Sequence, residues 1–333
     1  MDVQITKRRL SEMLQYDWVK ILGMIVVAII VWELIFTVSA VRVKTGQNFK
    51  VYYYPTTTGA SGLYDFYDRE KPLSYDVLEF SIETLTTDYA ETVLSTRLSI
   101  AEGDLIVIDN EISYPEEHGE GTENFELYAK SNLYSLVDNY SIAALDELNE
   151  NAKNYLARFM ENGEYAADGE ILSDKAAENF DVRMKGDNRF RKEEDRAEGL
   201  VLEIGRLETL RGAVKEFSYL LENVPQLFLN YTKYQSTAHN SSSEDIRAAY
   251  EQQEEHPYAI NVEVLAENRG EEQPSVIDVA SSRYSAEAEG TAINTAIAVF
   301  DFTSEQPDLQ YETIVFLTSL IRTYSTLLDG AVN

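Results

Sequence analysis

Imidazole titrates nearest neutral pH of all side chains and is the commonest metal ligand; this chain has three, His118, His239 and His256. All lie in polar, loop-like surroundings. None has the HExxH spacing that sets two imidazoles on one helix face around zinc. The chain has no Cys, which removes thiolate nucleophiles, thiolate metal sites and disulfides together. Neither a GxSxG elbow nor a Gly-rich phosphate loop occurs. Aspartate and glutamate number 58, so carboxylate pairs arise everywhere by composition and do not single out a two-carboxylate hydrolase. The expectation is a chain that is not an enzyme and carries no cofactor or metal.

What remains is the chemistry of binding. There are 22 Tyr; a Tyr ring stacks on sugars and other amphipathic ligands while its hydroxyl hydrogen-bonds. Tyr also suits a pleated, half-buried strand, so most of the 22 are expected in the core. Tyr52-Tyr53-Tyr54 closes one β-rich run before Pro55, and Asp109-Asn110 closes the wholly apolar run Leu105–Ile108. Glu33 is a third kind of candidate, a carboxylate inside an apolar run. Such groups are costly in a membrane and generally meet a partner helix or a cavity. The alternative is a protonated or snorkelling side chain on a tilted single helix.

The elements that would position these residues begin with Ile21–Val41, 21 residues with one charge. At about 1.5 Å per residue the run spans roughly 30 Å, a bilayer's hydrocarbon thickness. Its 13 Ile, Leu, Val and Phe residues favour insertion by very roughly 6 kcal/mol, against about 3 kcal/mol for Glu33. A cleaved signal peptide is the competing reading, with Val38-Ser39-Ala40 as its cleavage site, but signal cores run only about 7–15 residues. Lys7, Arg8, Arg9 and Lys20 precede the run and Arg42, Lys44 and Lys50 follow it. A short N-terminal tail before a long domain favours the N-terminus inside. The organisation expected is a cytoplasmic tail over residues 1–17, a single transmembrane helix over 18–41 with Trp18 at the interface, and an extracytoplasmic domain over 42–333.

That domain is long enough to bury about three quarters of its unfolded surface without staples. The first 40 residues hold four basic and four acidic side chains, so the net charge of −30 falls on the remainder. A field of that sign repels phosphates and excludes nucleic acid as a natural partner.

Within the domain, Lys50–Tyr54 reads as a strand, Thr56–Gly62 as a loop, and Ser74–Leu98 as a helix with Val77, Leu78, Ile82, Leu85, Tyr89 and Val93 at helical spacing. Leu105–Ile108 reads as a buried strand, so strand, helix and strand form a parallel βαβ unit. Phe125–Leu136 and Ser141–Phe159 have helical patterns, and Asn162–Asp174 reads as a linker. A basic island runs from Arg183 to Lys192. The stripe Leu200, Ile204, Leu207, Leu210, Val214, Phe217 and Leu221 follows, predicting a helical middle over about 175–235. Tyr258–Leu265, Val276–Val279 and Ile293–Phe302 read as strands. Ser304–Asp308 opens a last helix with Pro307 in its first turn.

The order strand, helix, Ala101-Glu102-Gly103-Asp104, strand resembles the first lobe of extracytoplasmic solute-binding proteins of bacterial ABC importers. The strand Ala296–Phe302 followed by Ser304-Glu305-Gln306-Pro307-Asp308 and a helix with Phe316-Leu317 is similar to their C-terminal end, with Tyr258–Val262 as a returning strand. The resemblance covers Phe49–Leu148 and Tyr258–Leu328. It implies an α/β fold with a solute-binding-protein-like extracytoplasmic domain and, here, a helical insertion in place of a second α/β lobe. There is no lipobox, so the transmembrane helix would replace the lipid anchor. The region Tyr16–Tyr54 also resembles single-pass membrane proteins of Gram-positive anaerobes.

In such sheets ligands sit outside the C-terminal ends of the strands, which nominates Tyr53, Tyr54, Asp109 and Asn110 for ligand binding and leaves Glu33 as the contact to a membrane partner. The function expected is a membrane-anchored binding or accessory subunit beside an ABC-type importer. Its partners would be the bilayer, the permease subunits and a sugar or other small solute. The alternatives are a cleft-less scaffold acting through protein contacts and, more remotely, a surface hydrolase.

Overall fold

The computed structural model describes residues 11, 18–39, 43–44, 46–113, 130–233, 248, 254–283, 290–302 and 309–331. Contacts divide the chain into two units, residues 1–42 with 184–196 and residues 43–183 with 197–333.

In the first unit, α1 (Trp18–Ser39) covers the apolar run. Its 22 residues reach roughly 33 Å, and Trp18–Thr37 has mean hydropathy 2.5 with none of it buried. The helix is therefore long and apolar enough to cross a membrane, although an N-terminal signal sequence passes the same test. Glu33 lies exposed on it. In the basic island, the Asp187 carboxylate accepts from the Arg189 backbone N–H at 2.9 Å and pairs with its guanidinium at 2.8 Å.

The second unit is built on β1 (Asn48–Tyr53), β2 (Thr57–Thr58), α2 (Ala60–Glu70), β3 (Glu79–Thr84), α3 (Ala90–Leu98), β4 (Leu105–Asp109), α4 (Asn132–Asn139) and α5 (Leu145–Ala157). Then come α6 (Ser173–Arg183), α7 (Glu193–Asn223, its first turn in the other unit), β5 (Phe228–Tyr231), β6 (His256–Asn261), α8 (Val262–Glu267), β7 (Ser281–Ser282), β8 (Thr295–Val299) and α9 (Glu312–Tyr324). Six strands form one mixed sheet in the order β3-β1-β4-β8-β6-β5, while β2 and β7 form a separate antiparallel ribbon. β1 runs parallel to β3 and β4; β8 is antiparallel to both β4 and β6.

The central strands are apolar throughout because both sheet faces are covered. Side chains alternate across the sheet. Val51, Tyr53, Leu105, Val107, Ile297 and Val299 point to one core, packed by α2, α5, α7 and α9. Tyr52, Ile106, Ile108, Ala296 and Ala298 point to the other, packed by α3 and α4. The Gly-Asp turn before β4 latches it to β1. Asp104 accepts from the Lys50 N–H at 2.8 Å, and the Asp104 N–H donates to the Lys50 carbonyl at 2.8 Å. Gly103 has φ 134°, and a Cβ there would stand 2.6 Å from the Tyr52 ring, so no larger residue fits.

Several sequence expectations are corrected. The helix expected over Ser74–Leu98 is strand β3 followed by helix α3. Six-residue pairing of β3 with β1 supplies ladder hydrogen bonds that outweigh the chance helical spacing of its apolar residues. The βαβ expectation is met twice, by β1-α2-β3 and β3-α3-β4, with other boundaries. The expected loop Thr56–Gly62 holds β2 and the start of α2, whose only fully buried apolar contacts, Leu63 and Phe66, make too short a stripe to read. The expected strand Tyr258–Leu265 ends at Asn261, whose side chain accepts from the Glu263 N–H at 3.1 Å and caps α8. Val276–Asp278 is a single 3-10 turn, not a strand. The expected linker Asn162–Asp174 is packed: Ile171 is buried and the Leu172 N–H donates to the Phe159 carbonyl at 2.8 Å. Residues 125–129, Ser304–Asp308, His118 and His239 lie outside the described residues.

Candidate functional site

β1 and β4 run side by side with Tyr53 opposite Val107, so their C-terminal ends bring Tyr53, Tyr54, Asp109 and Asn110 into one neighbourhood. The four then separate by role. Tyr53 is fully buried, and its hydroxyl donates to the Val279 carbonyl at 2.5 Å. Burial drives its phenol far above the usual range, with Tyr324 adding to the shift. Asp109 Oδ2 accepts from the Ser282 hydroxyl at 2.8 Å and its Oδ1 from the Glu111 N–H at 3.2 Å. Asn110 Oδ1 accepts from the Leu133 N–H at 3.0 Å, at the start of α4. Tyr53 holds the turn before β7 against the sheet, Asp109 holds β7 and Asn110 holds α4, and that packing covers the end of β4.

Tyr54 differs. It is half-buried, and its phenol is raised by burial first and by the Glu91 charge second. It lines a cavity of about 390 Å³ between α3 and α4, within the roughly 300–1,000 Å³ typical of ligand pockets. Glu91 and Ser95 come from α3; Asn132, Ser135 and Asn139 come from α4, with Tyr140 just past its end. Leu94 and Leu136 add the apolar part of the wall. The α4 face is presented here because Ser131 caps the helix, accepting from the Tyr134 N–H at 3.2 Å. Asn132 Nδ2 also donates to the Asp109 carbonyl at 2.6 Å, tying the helix to the end of β4. The sequence nominates Tyr54 for ligand binding but not Glu91, Asn132, Asn139 or Tyr140. The local signal beside them is the Ser131 cap before the apolar stripe of α4.

A second cavity, about 320 Å³, lies between α7 and residues 71–75. Beside it is a buried ion cluster. Arg183 meets Asp76 at 2.5 Å and Glu203 at 2.6 Å, while Arg206 meets Glu203 at 3.0 Å and Glu312 at 3.6 Å. Tyr75 donates to Glu203 at 2.9 Å, and Arg206 donates to the Tyr155 hydroxyl at 2.6 Å. Burial alone would raise the Glu203 carboxyl; Arg206 and Arg183 override it and hold it at about 2. Each charge has its partner, which marks the cluster as a tie between α6, α7 and α9 rather than a reactive centre. Among the described residues no group of three or more His, Asp or Glu could hold a metal ion.

Fold and site together define a class: a mixed α/β domain on a six-stranded mixed sheet, preceded by one apolar helix of membrane-spanning length. Comparison with protein-family models, curated proteins and solved structures finds no match to the chain.

Proposed function

We propose that this chain is a membrane-anchored, extracytoplasmic solute-binding module, a binding or accessory subunit beside an ABC-type importer, with its N-terminus in the cytoplasm. The observation that carries the reading is the polar cavity at Tyr54, placed where open α/β sheets hold ligands, outside the C-terminal end of a strand. The return of β6 and β8 from the C-terminal part of the chain into the sheet of β1 and β4 supports the likeness to a solute-binding lobe. An anchored receptor gains effective concentration at its permease without a lipid. Glu33 is assigned to the permease helices.

A second reading, a scaffold acting only through protein contacts, draws support from the covered end of β4, where Asp109 and Asn110 are used internally. The two are separated by a thermal-shift screen of the full chain in detergent against sugars, oligosaccharides, amino acids and peptides. A ligand at about 100 times its Kd adds roughly 2.7 kcal/mol to the folded state. Tyr54→Ala is expected to abolish the shift, with an unliganded melting temperature lowered only by the loss of a half-buried ring. Tyr53→Phe is expected to keep the shift but lower the unliganded melting temperature, because it leaves the buried Val279 carbonyl without its donor, at a cost of about 1–3 kcal/mol. A flat screen would select the scaffold.

A further inference from the structure

Among the described residues around Tyr54, several acceptor atoms have no hydrogen bond. Asn132 Nδ2 donates to the Asp109 carbonyl at 2.6 Å, and Asn139 Nδ2 donates to the Ser135 carbonyl at 2.7 Å. A backbone carbonyl only accepts, so both amides are oriented unambiguously, nitrogen toward the backbone. Both Oδ1 atoms are then left without a hydrogen bond among the described residues. The Glu91 carboxylate and the Tyr54 hydroxyl are in the same position, while Tyr140 makes one long bond, donating to the Glu91 carbonyl at 3.4 Å. Among the described residues Glu91 is the only charged one in the lining, which includes no Lys, Arg or His.

We propose that this cavity takes a small organic cation: a primary ammonium group on a hydroxylated body of about monosaccharide size. The ammonium offers three donors and no acceptor, matching the Glu91 carboxylate, while the amide oxygens of Asn132 and Asn139, two turns apart on α4, accept from different groups of the ligand. Hydroxyls on the body meet Tyr54 and Tyr140, which both donate and accept. Amino acids, uronates and phosphates are disfavoured, because each would bring an anionic group to a site whose described lining has one carboxylate and no cation. The proposal rests on the solute-binding reading above and names its ligand class.

The test is calorimetric titration of the full chain in detergent, in mildly acidic buffer, with glucosamine, glucose and glucuronate as probes. Glucosamine is expected to bind at least tenfold tighter than glucose, and glucuronate not at all. Glu91→Gln, at an exposed helical position, is expected to bring glucosamine down to the affinity of glucose with an unchanged melting temperature. Glucose or another uncharged solute binding through Tyr54 as tightly as glucosamine sinks the cation assignment and leaves the solute-binding reading standing. So does glucosamine binding that Glu91→Gln leaves intact. No binding by any of the three probes, together with a flat broader screen, overturns both.

Discussion

Asp104 does at the foot of β4 what few surface carboxylates do, holding a proton close to neutral pH. It is buried, and desolvation lifts its carboxyl to about 7 against the pull of the Lys50 N–H. From the ordinary aspartate value of 3.8 up to about 7, the folded chain binds a proton that the unfolded chain has released. Stability therefore falls as pH rises through that window. Glu203 works in the opposite sense: held at about 2, it contributes stability above 4.5 that is lost as pH falls toward 2. Asp104→Asn keeps an oxygen for the Lys50 N–H and removes the titration. Its chemical-denaturation free energy is expected to vary less between pH 4 and 7 than that of the native chain, the two differing most in slope near pH 5–6. Parallel pH profiles would show that Asp104 does not titrate there.

At the scale of elements, two helical glycines illustrate opposite demands. A Cβ on Gly62 in α2 would stand 1.9 Å from the Asp278 carbonyl oxygen, a backbone atom that cannot rotate away. A Cβ on Gly205 in α7 would meet nothing within 4 Å. Gly62→Ala is expected to destabilise by about 1–3 kcal/mol through overpacking. Gly205→Ala is expected to stabilise by roughly 0.5–1 kcal/mol through reduced backbone entropy in a helix. Urea midpoints of the two variants decide this, and equal shifts of one sign would contradict the close approach of α2 to residues 278–280. That approach also places Val279 against Tyr53, so α2, not legible in the sequence, helps to make Tyr53 a core residue.

For the whole molecule, the membrane assignment is the claim with the largest consequence. If α1 remains attached, all full-length chain fractionates with membranes. Protease added to intact cells after wall removal then digests the domain beyond Val41 while sparing residues 1–17. A soluble product beginning at Val41 would make α1 a signal sequence. The charge of −30 gives a second signature: association with anionic vesicles through the domain alone is expected to be negligible at physiological salt.

The apolar helix, the all-buried strands β4 and β8, the long helix α7 and the turn Gly103-Asp104 were legible in the sequence, because each is set by local composition or by a stretch whose burial is uniform. The split of residues 74–98 into β3 and α3 was not, since its deciding interaction is pairing with β1 some thirty residues away. The site was legible only as far as the strand ends. Tyr53 and Tyr54 are adjacent and identical in kind, and only the alternation of side chains across the pleat sends one into the core beneath Val279 and leaves the other against α3 and α4. Glu91, Asn132 and Asn139 reach Tyr54 because two separate helices pack on the same sheet face. The sequence by itself determined where the chain is apolar enough to leave water; tertiary packing decided which polar atoms were left without partners, because each hydrogen bond depends on what long-range folding brings within reach.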